Sequence, residues 1–156
     1  MAVDVRRFGS DLRLLGDLAH QRGRDRGRDL LTAFRPQTGG TDLDRLDGAD
    51  NLAQALLLRF LTPAGELTQL GHPGYGSRLY ELLGELNNQT TRNVAKMYVL
   101  AALAAEPRVK RVVDVQVSQS RADPTGVEIA VAVEPIDDDV VLNLVFGFSL
   151  AGGGAP

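Results

Sequence analysis

RNVAKMYVLAALAAE, residues Arg92 to Glu106, reads as a helix that stops at Glu106-Pro107-Arg108, and alternating strand-like runs follow it directly. Val94, Met97, Ala101 and Ala104 share one helical face, with Tyr98 and Ala105 beside them; the small alanines allow close approach by a sheet or another helix. The expected end breaks a local rule, because a carboxylate in the last turn is disfavoured by the helix dipole. Glu106 therefore has a cationic neighbour, with Arg108 the nearest candidate, or it is held for a partner.

After this helix the apolar period changes from 3.6 to 2. Val113, Val115 and Val117 alternate with Asp114, Gln116 and Ser118, and Val127, Ile129, Val131 and Val133 alternate with Glu128, Ala130, Ala132 and Glu134. Asp123-Pro124 with Gly126, and then Pro135 to Asp139, turn the chain, so an antiparallel meander is the economical topology. In the last run Leu142, Leu144, Phe146, Phe148 and Leu150 occupy one face, and Val141, Asn143, Val145, Gly147 and Ser149 the other. Val140 to Leu150 is longer than a typical strand of about five or six residues. At a sheet edge it would offer unpaired backbone to another chain, with no Lys, Pro or inward charge within it to blunt it; otherwise it pairs centrally.

Upstream, Asp50 is the expected N-cap of a helix whose stripe is Leu52, Ala53, Leu56, Leu57 and Phe60, stopped by Thr62-Pro63. Residues 63 to 76, PAGELTQLGHPGYG, form a loop with several tight turns, long enough to be functional. Ser77 is expected to cap a further helix reaching about Leu86, with Leu79, Leu82, Leu83 and Leu86 inward and Asn87 to Thr90 as its breaker. Arg22 to Asp29, within the loop 21–29, has no apolar period and reads as a solvated loop. Leu12 to Leu18 and Leu30 to Phe34 fit either strands or short helices.

The fold class is thus α+β, a helical layer packed on a C-terminal antiparallel β meander. At 156 residues the chain fits one domain, 1–150, with a disordered tail at 151–156 and residues 1–49 the least legible part; such a length removes roughly 70% of the unfolded surface from water. A hydrophobic fraction of 44% and a charged fraction of 24% exclude a disordered chain. There is no cysteine and there are two histidines, so no disulfide framework or thiolate site is possible, and neither a metal nor a cofactor is expected. No apolar run approaches a bilayer span and no leader is read, so the expectation is cytoplasmic assembly without membrane insertion. The net charge of −3 gives no general attraction for nucleic acid. Arg22 to Arg28 also lacks interleaved aromatics for base stacking. Glu66 and His72 share the glycine-rich loop and are the best case for a hydrolase, but no orienting Asp or Ser stands at a recognisable spacing, and no catalytic residue is assigned.

Asn51-Leu52-Ala53-Gln54-Ala55-Leu56, Leu61-Thr62-Pro63 with Gly65-Glu66, His72-Pro73-Gly74-Tyr75-Gly76-Ser77, a helix ending Glu106-Pro107-Arg108-Val109, and then a β meander form an ordered set over about residues 50 to 150. The set resembles the baseplate wedge or sheath-initiator proteins of contractile injection systems: contractile phage tails, phage-like particles and type VI secretion machines. The resemblance implies a non-enzymatic structural protein, six copies per baseplate around the end of the inner tube, which seeds sheath polymerisation. Its implied partners are sheath subunits, baseplate wedge proteins and inner tube or tube-initiator proteins. It places Glu106, Pro107 and Arg108 at the wedge contact. Strand addition from sheath chains is expected along Val141, Asn143, Leu144, Val145, Phe146 and Phe148. Some relatives are described as lysozyme-like, so a cell-wall hydrolase is the alternative, with a small interaction module of another assembly beside it.

Overall fold

The computed structural model describes residues 8–16, 18, 20–21, 30–136 and 140–151. The loop expected at Arg22 to Asp29, the turn at Asp137 to Asp139 and the tail beyond Ala151 lie outside the described residues. The elements run β1 (Ser10–Leu12), β2 (His20–Gln21), β3 (Thr32–Arg35), β4 (Gly40–Leu43), β5 (Arg45–Asp47), α1 (Gly48–Leu61), 3₁₀ turns at Thr68–Leu70 and Leu79–Leu82, α2 (Gln89–Ala104), β6 (Val109–Gln119), β7 (Gly126–Pro135) and β8 (Leu142–Ser149). Of the two ambiguous N-terminal runs, Leu30 to Phe34 supplies most of β3, whereas Leu12 to Leu18 shares only Leu12 with β1 and its other described residues are neither strand nor helix.

The class is α+β, and β6, β7 and β8 form the expected antiparallel meander, extended by β2 to the order β2-β8-β7-β6. Val115 stands opposite Val131 and Ile129 opposite Phe146, while β2 joins β8 in parallel through His20↔Val145 and Gln21↔Phe146. The alternation in β7 and β8 faces inward as expected, with Val127, Ile129, Val131, Val133, Leu144 and Phe146 all buried. Val113 departs from it. Register shifts after Val109 and Val112 mark irregularities in β6, and these invert the side-chain phase; Val113 is 47% exposed and Val112 packs against the core instead.

The α1 stripe is buried as expected, and Phe60 stacks on Phe146 of β8 with centroids 5.0 Å apart. Asp47, not Asp50, occupies the N-cap position; Asp50 lies in the first turn, where its charge suits the dipole. At the other end Thr62 donates its N–H to Leu58 O before Pro63 stops the helix.

Two helical expectations are corrected. The segment after Ser77 closes only one 3₁₀ turn, because Gly84 takes a left-handed φ of 89° and donates its N–H to Leu150 O at 2.7 Å. Leu79 and Leu82 are buried, but Leu83 and Leu86 are exposed. The residues expected as a breaker instead start α2, with Asn88 accepting the Thr91 N–H at 2.9 Å as the N-cap. The helix buries Thr91, Ala95, Val99, Ala102 and Leu103, so Met97, Ala101 and Ala104 face outward rather than inward. Its last residue is Ala104, which leaves Glu106 beyond the C-cap, Ala105, rather than in the final turn.

A candidate interaction site around Glu106

Residues 63–77 leave α1 and return beside it. Ser77 donates its N–H to Thr62 O (2.9 Å) and its hydroxyl to Phe60 O (2.7 Å), and Ala64 donates to Ser77 O (2.8 Å). Gly76 is required at the neck, since its φ is 107° and a Cβ there would lie 2.6 Å from Thr62 O. The closed neck presents Tyr75 to the end of α1, where the Arg59 guanidinium lies 4.6 Å from the Tyr75 ring centroid.

Arg59 then reaches Glu106, with Nη2 3.1 Å from Oε2. Arg108 closes on the same carboxylate, donating Nε to Oε1 at 2.7 Å, Nη2 to Oε2 at 3.3 Å and its backbone N–H to Oε1 at 3.3 Å. The side chains of Arg59 and Glu106 are 9% and 4% exposed, and that of Arg108 is 32% exposed. Burial pushes the Glu106 carboxyl up, but the hydrogen bonds and charge of Arg108, with the charge of Arg59, outweigh it and hold the group below the usual carboxylate range. Burial likewise raises the Tyr75 phenol. Two guanidiniums around one carboxylate leave an excess positive charge, presented to solvent by Arg108. Arg59 Nε is buried without a hydrogen-bond partner among the described residues.

The acid at the end of α2 is thus satisfied within the chain, by Arg108 and by a cation 47 positions upstream. The motif reading does not single out Arg59. Its signal is nonetheless present: an arginine inside LLLRFL, on the inward side of an apolar helix, needs a buried acceptor.

The expected strand-addition residues divide. Leu144 and Phe146 are 1% exposed core side chains, so they offer no side-chain contact to a partner, and Phe148 packs partly against the core. Asn143 and Val141 are exposed and Val145 is half-buried. β8 is an inner strand, flanked by β7 along its length and by β2 at Val145 and Phe146. The outer edge belongs to β6. Ser120 donates to Gly126 O (2.9 Å), so Gln116, Ser118 and Ser120 are the residues bonded to β7. Val115, Val117 and Gln119 consequently direct their backbone N–H and C=O groups away from the sheet, with no partner among the described residues.

Glu66 and His72 are both exposed on the loop, and no hydrogen bond joins their side chains among the described residues. Among the described residues no group of three or more His, Cys, Asp or Glu side chains could hold a metal, and no helix is long and apolar enough to cross a membrane.

The fold has a counterpart among solved structures. A protein of Geobacter sulfurreducens, described as a "putative tail lysozyme", matches with a TM-score of 0.58 and 23% identity over 68% of this chain and 93% of that one. What the two share is the fold. No protein-family model matches the chain, and no curated protein matches it.

Proposed function

We propose that the chain is a structural component of a phage tail-like assembly, and more finely a baseplate protein that starts the contractile sheath by accepting strands from sheath subunits. The observation that carries this reading is the outer edge of β6, where the backbone groups of Val115, Val117 and Gln119 have no partner among the described residues and form a ready template for an added strand. The regular part, Asp114 to Gln119, has a single charge and no Lys or Pro, while the irregular part beside it carries Lys110 and Arg111. Strand addition along β8 at Asn143 and Val145 requires displacement of β2, two residues long, and is the second site in this reading. The tail context is supported by the likeness to the Geobacter protein and by the ordered motifs that resemble sheath initiators. In this reading Pro107 and Arg108 meet the baseplate wedge proteins, Arg108 through the side of its guanidinium left open by Glu106. Six copies would set the pitch of the first sheath layer.

The test is sheath assembly on tubes with Val117→Pro, set against Val117→Ala. Both lose the packing of a half-buried side chain, but only the proline removes an outward N–H, and it removes no bond to β7, so the two melts stay close to each other while sheath nucleation is lost in the proline variant alone. Normal sheaths on that variant would end the β6 reading.

The neighbour's name favours one other reading, a cell-wall hydrolase. A glycosidase needs two carboxyl groups about 5 to 9.5 Å apart, one with a raised pKa. The buried carboxylate, Glu106, is shifted the opposite way. Release of peptidoglycan fragments by the purified chain, abolished by Glu66→Gln, would establish the hydrolase.

A further inference from the structure

We infer that the strand taken up by β6 belongs to another protein and is amphipathic, apolar on the side that faces α2 and basic on the side that faces solvent. This deepens the strand-addition reading of β6 and rests on it. α2 packs chiefly on β6, the outermost strand of the sheet. A helix is about 10 Å wide and strands lie about 4.8 Å apart, so a helix seated on an edge strand overhangs the place of the next one. Tyr98 marks the inner flank of α2. Its hydroxyl donates to Glu81 Oε2 at 3.1 Å, and the segment carrying Glu81 is tied through the Gly84 N–H to Leu150 O, just past β8. Lys96 and Leu100, each two residues from Tyr98, lie about 160° around the helix from it, on the flank that looks outward past β6. Side chains of an added strand opposite Val115 and Val117 share their inward side and meet this flank. Leu100 is half-buried there and Lys96 adds the apolar part of its stem, while its ammonium disfavours a cation on that side.

The solvent side asks for the opposite chemistry. The rows Asp114–Ala132–Asn143, Gln116–Ala130–Val145 and Ser118–Glu128–Gly147 cross β6, β7 and β8 with two carboxylates and no cation. Asp114 stands on the edge strand itself, accepts from Gln116 Nε2 at 2.9 Å and makes no ion pair among the described residues. Lys110 and Arg111, the nearest cations along β6, are engaged with Glu134 in its irregular part. A Lys or Arg of the added strand beside Asp114 is therefore favoured, and an acid there is repelled. A second copy of β6 does not supply such a strand, since its solvent side over this stretch is Asp114, Gln116 and Ser118. Because a one-residue slip exchanges the two sides, the pattern also fixes the register of the incoming strand to within two residues.

The test uses synthetic peptides of about seven residues, long enough for one strand. One alternates valine with lysine, a second alternates valine with glutamate, and a third alternates threonine with lysine. Each is titrated into the full chain at low salt, with amide exchange read by NMR. The valine–lysine peptide should protect the Val115, Val117 and Gln119 amides. It should bind ~5-fold more tightly than the glutamate peptide and ~10-fold more tightly than the threonine one. Asp114→Lys, at an exposed position, should reverse the preference between lysine and glutamate with little change in the melt. Equal affinities for the lysine and glutamate peptides, or for the valine and threonine ones, would overturn this inference and leave strand addition standing. Protection of the edge amides by none of the peptides would overturn both, and a dimer in sedimentation that Val117→Pro dissociates would assign the edge to a second copy instead.

Discussion

Two clusters in this molecule use the same three side-chain types. In one, Arg59 lies 4.6 Å over Tyr75 and 3.1 Å from Glu106; in the other, Arg78 lies 4.7 Å over Tyr98 and is bidentate to Glu81 at 2.7 and 2.6 Å. By contact geometry alone the second is the better pair. Exposure reverses the order: Arg59 and Glu106 are 9% and 4% exposed, Arg78 and Glu81 58% and 32%. Water and salt compete with the exposed pair, whereas removal of a member of the buried set strands charge that has no other solvent. Connectivity differs too. The buried cluster ties α1, the 63–77 loop and the start of β6, so it holds the helical layer to the sheet, while the exposed one fastens a single turn to α2.

The largest effect should come from Glu106→Ala, which leaves Arg59 buried without an acceptor. Isolated protein should lose about 3–5 kcal/mol in urea melts, with a fall in Tm on the order of 10 °C. A wild-type melt would mean that Glu106 is held for a partner, not for the fold. Gly76→Ala should come next, at about 1–3 kcal/mol, because the added Cβ meets Thr62 O at 2.6 Å in a left-handed backbone. It loosens the neck that holds Tyr75 over Arg59, so Tyr75 fluorescence should change along with the melt. An unchanged melt would show that the neck is soft.

Where period and burial coincide, the amino-acid sequence is legible. β7 and β8 alternate cleanly because one face is core, and the α1 stripe is bounded by Thr62-Pro63. α2 is legible as a helix but not in its orientation: with MYVLAALAA apolar on nearly every side, periodicity cannot choose a face, and the neighbours that choose it are distant in sequence. Asn88 has opposite meanings as a breaker and as a cap, and only the helix downstream, from Gln89 onward, separates the two. The helix expected after Ser77 stops at one 3₁₀ turn because Gly84 turns left-handed and donates to Leu150 O, a contact between distant parts of the chain that no local pattern records. At the candidate site the motif half, Glu106 with Arg108, lies two residues apart and can be read; the Arg59 half can be found only by asking why a guanidinium sits in an apolar helix.

Acid separates the two clusters most gently, and the sign comes from the direction of the shifts. Both Glu106 and Glu81 have folded pKa values below their ordinary value near 4.5. Each therefore contributes stability that is fully present above that value and lost as pH falls through the lower, folded one. For Glu106, burial opposes the shift and its two arginines overcome it, so protonation leaves a neutral acid facing the part-exposed Arg108 and the buried Arg59, which has little solvent to turn to. For Glu81 the hydrogen bond from Arg78 leads, but solvent reaches both groups and replaces what protonation removes. Urea melts taken from pH 7 down to about 3 should show the wild type losing stability below about pH 4.5. Glu106→Gln should flatten that fall, and Glu81→Gln should track the wild-type curve with a barely displaced midpoint. Should the Glu81 variant flatten the profile instead, contact geometry would outrank burial, and the order of the two clusters would reverse.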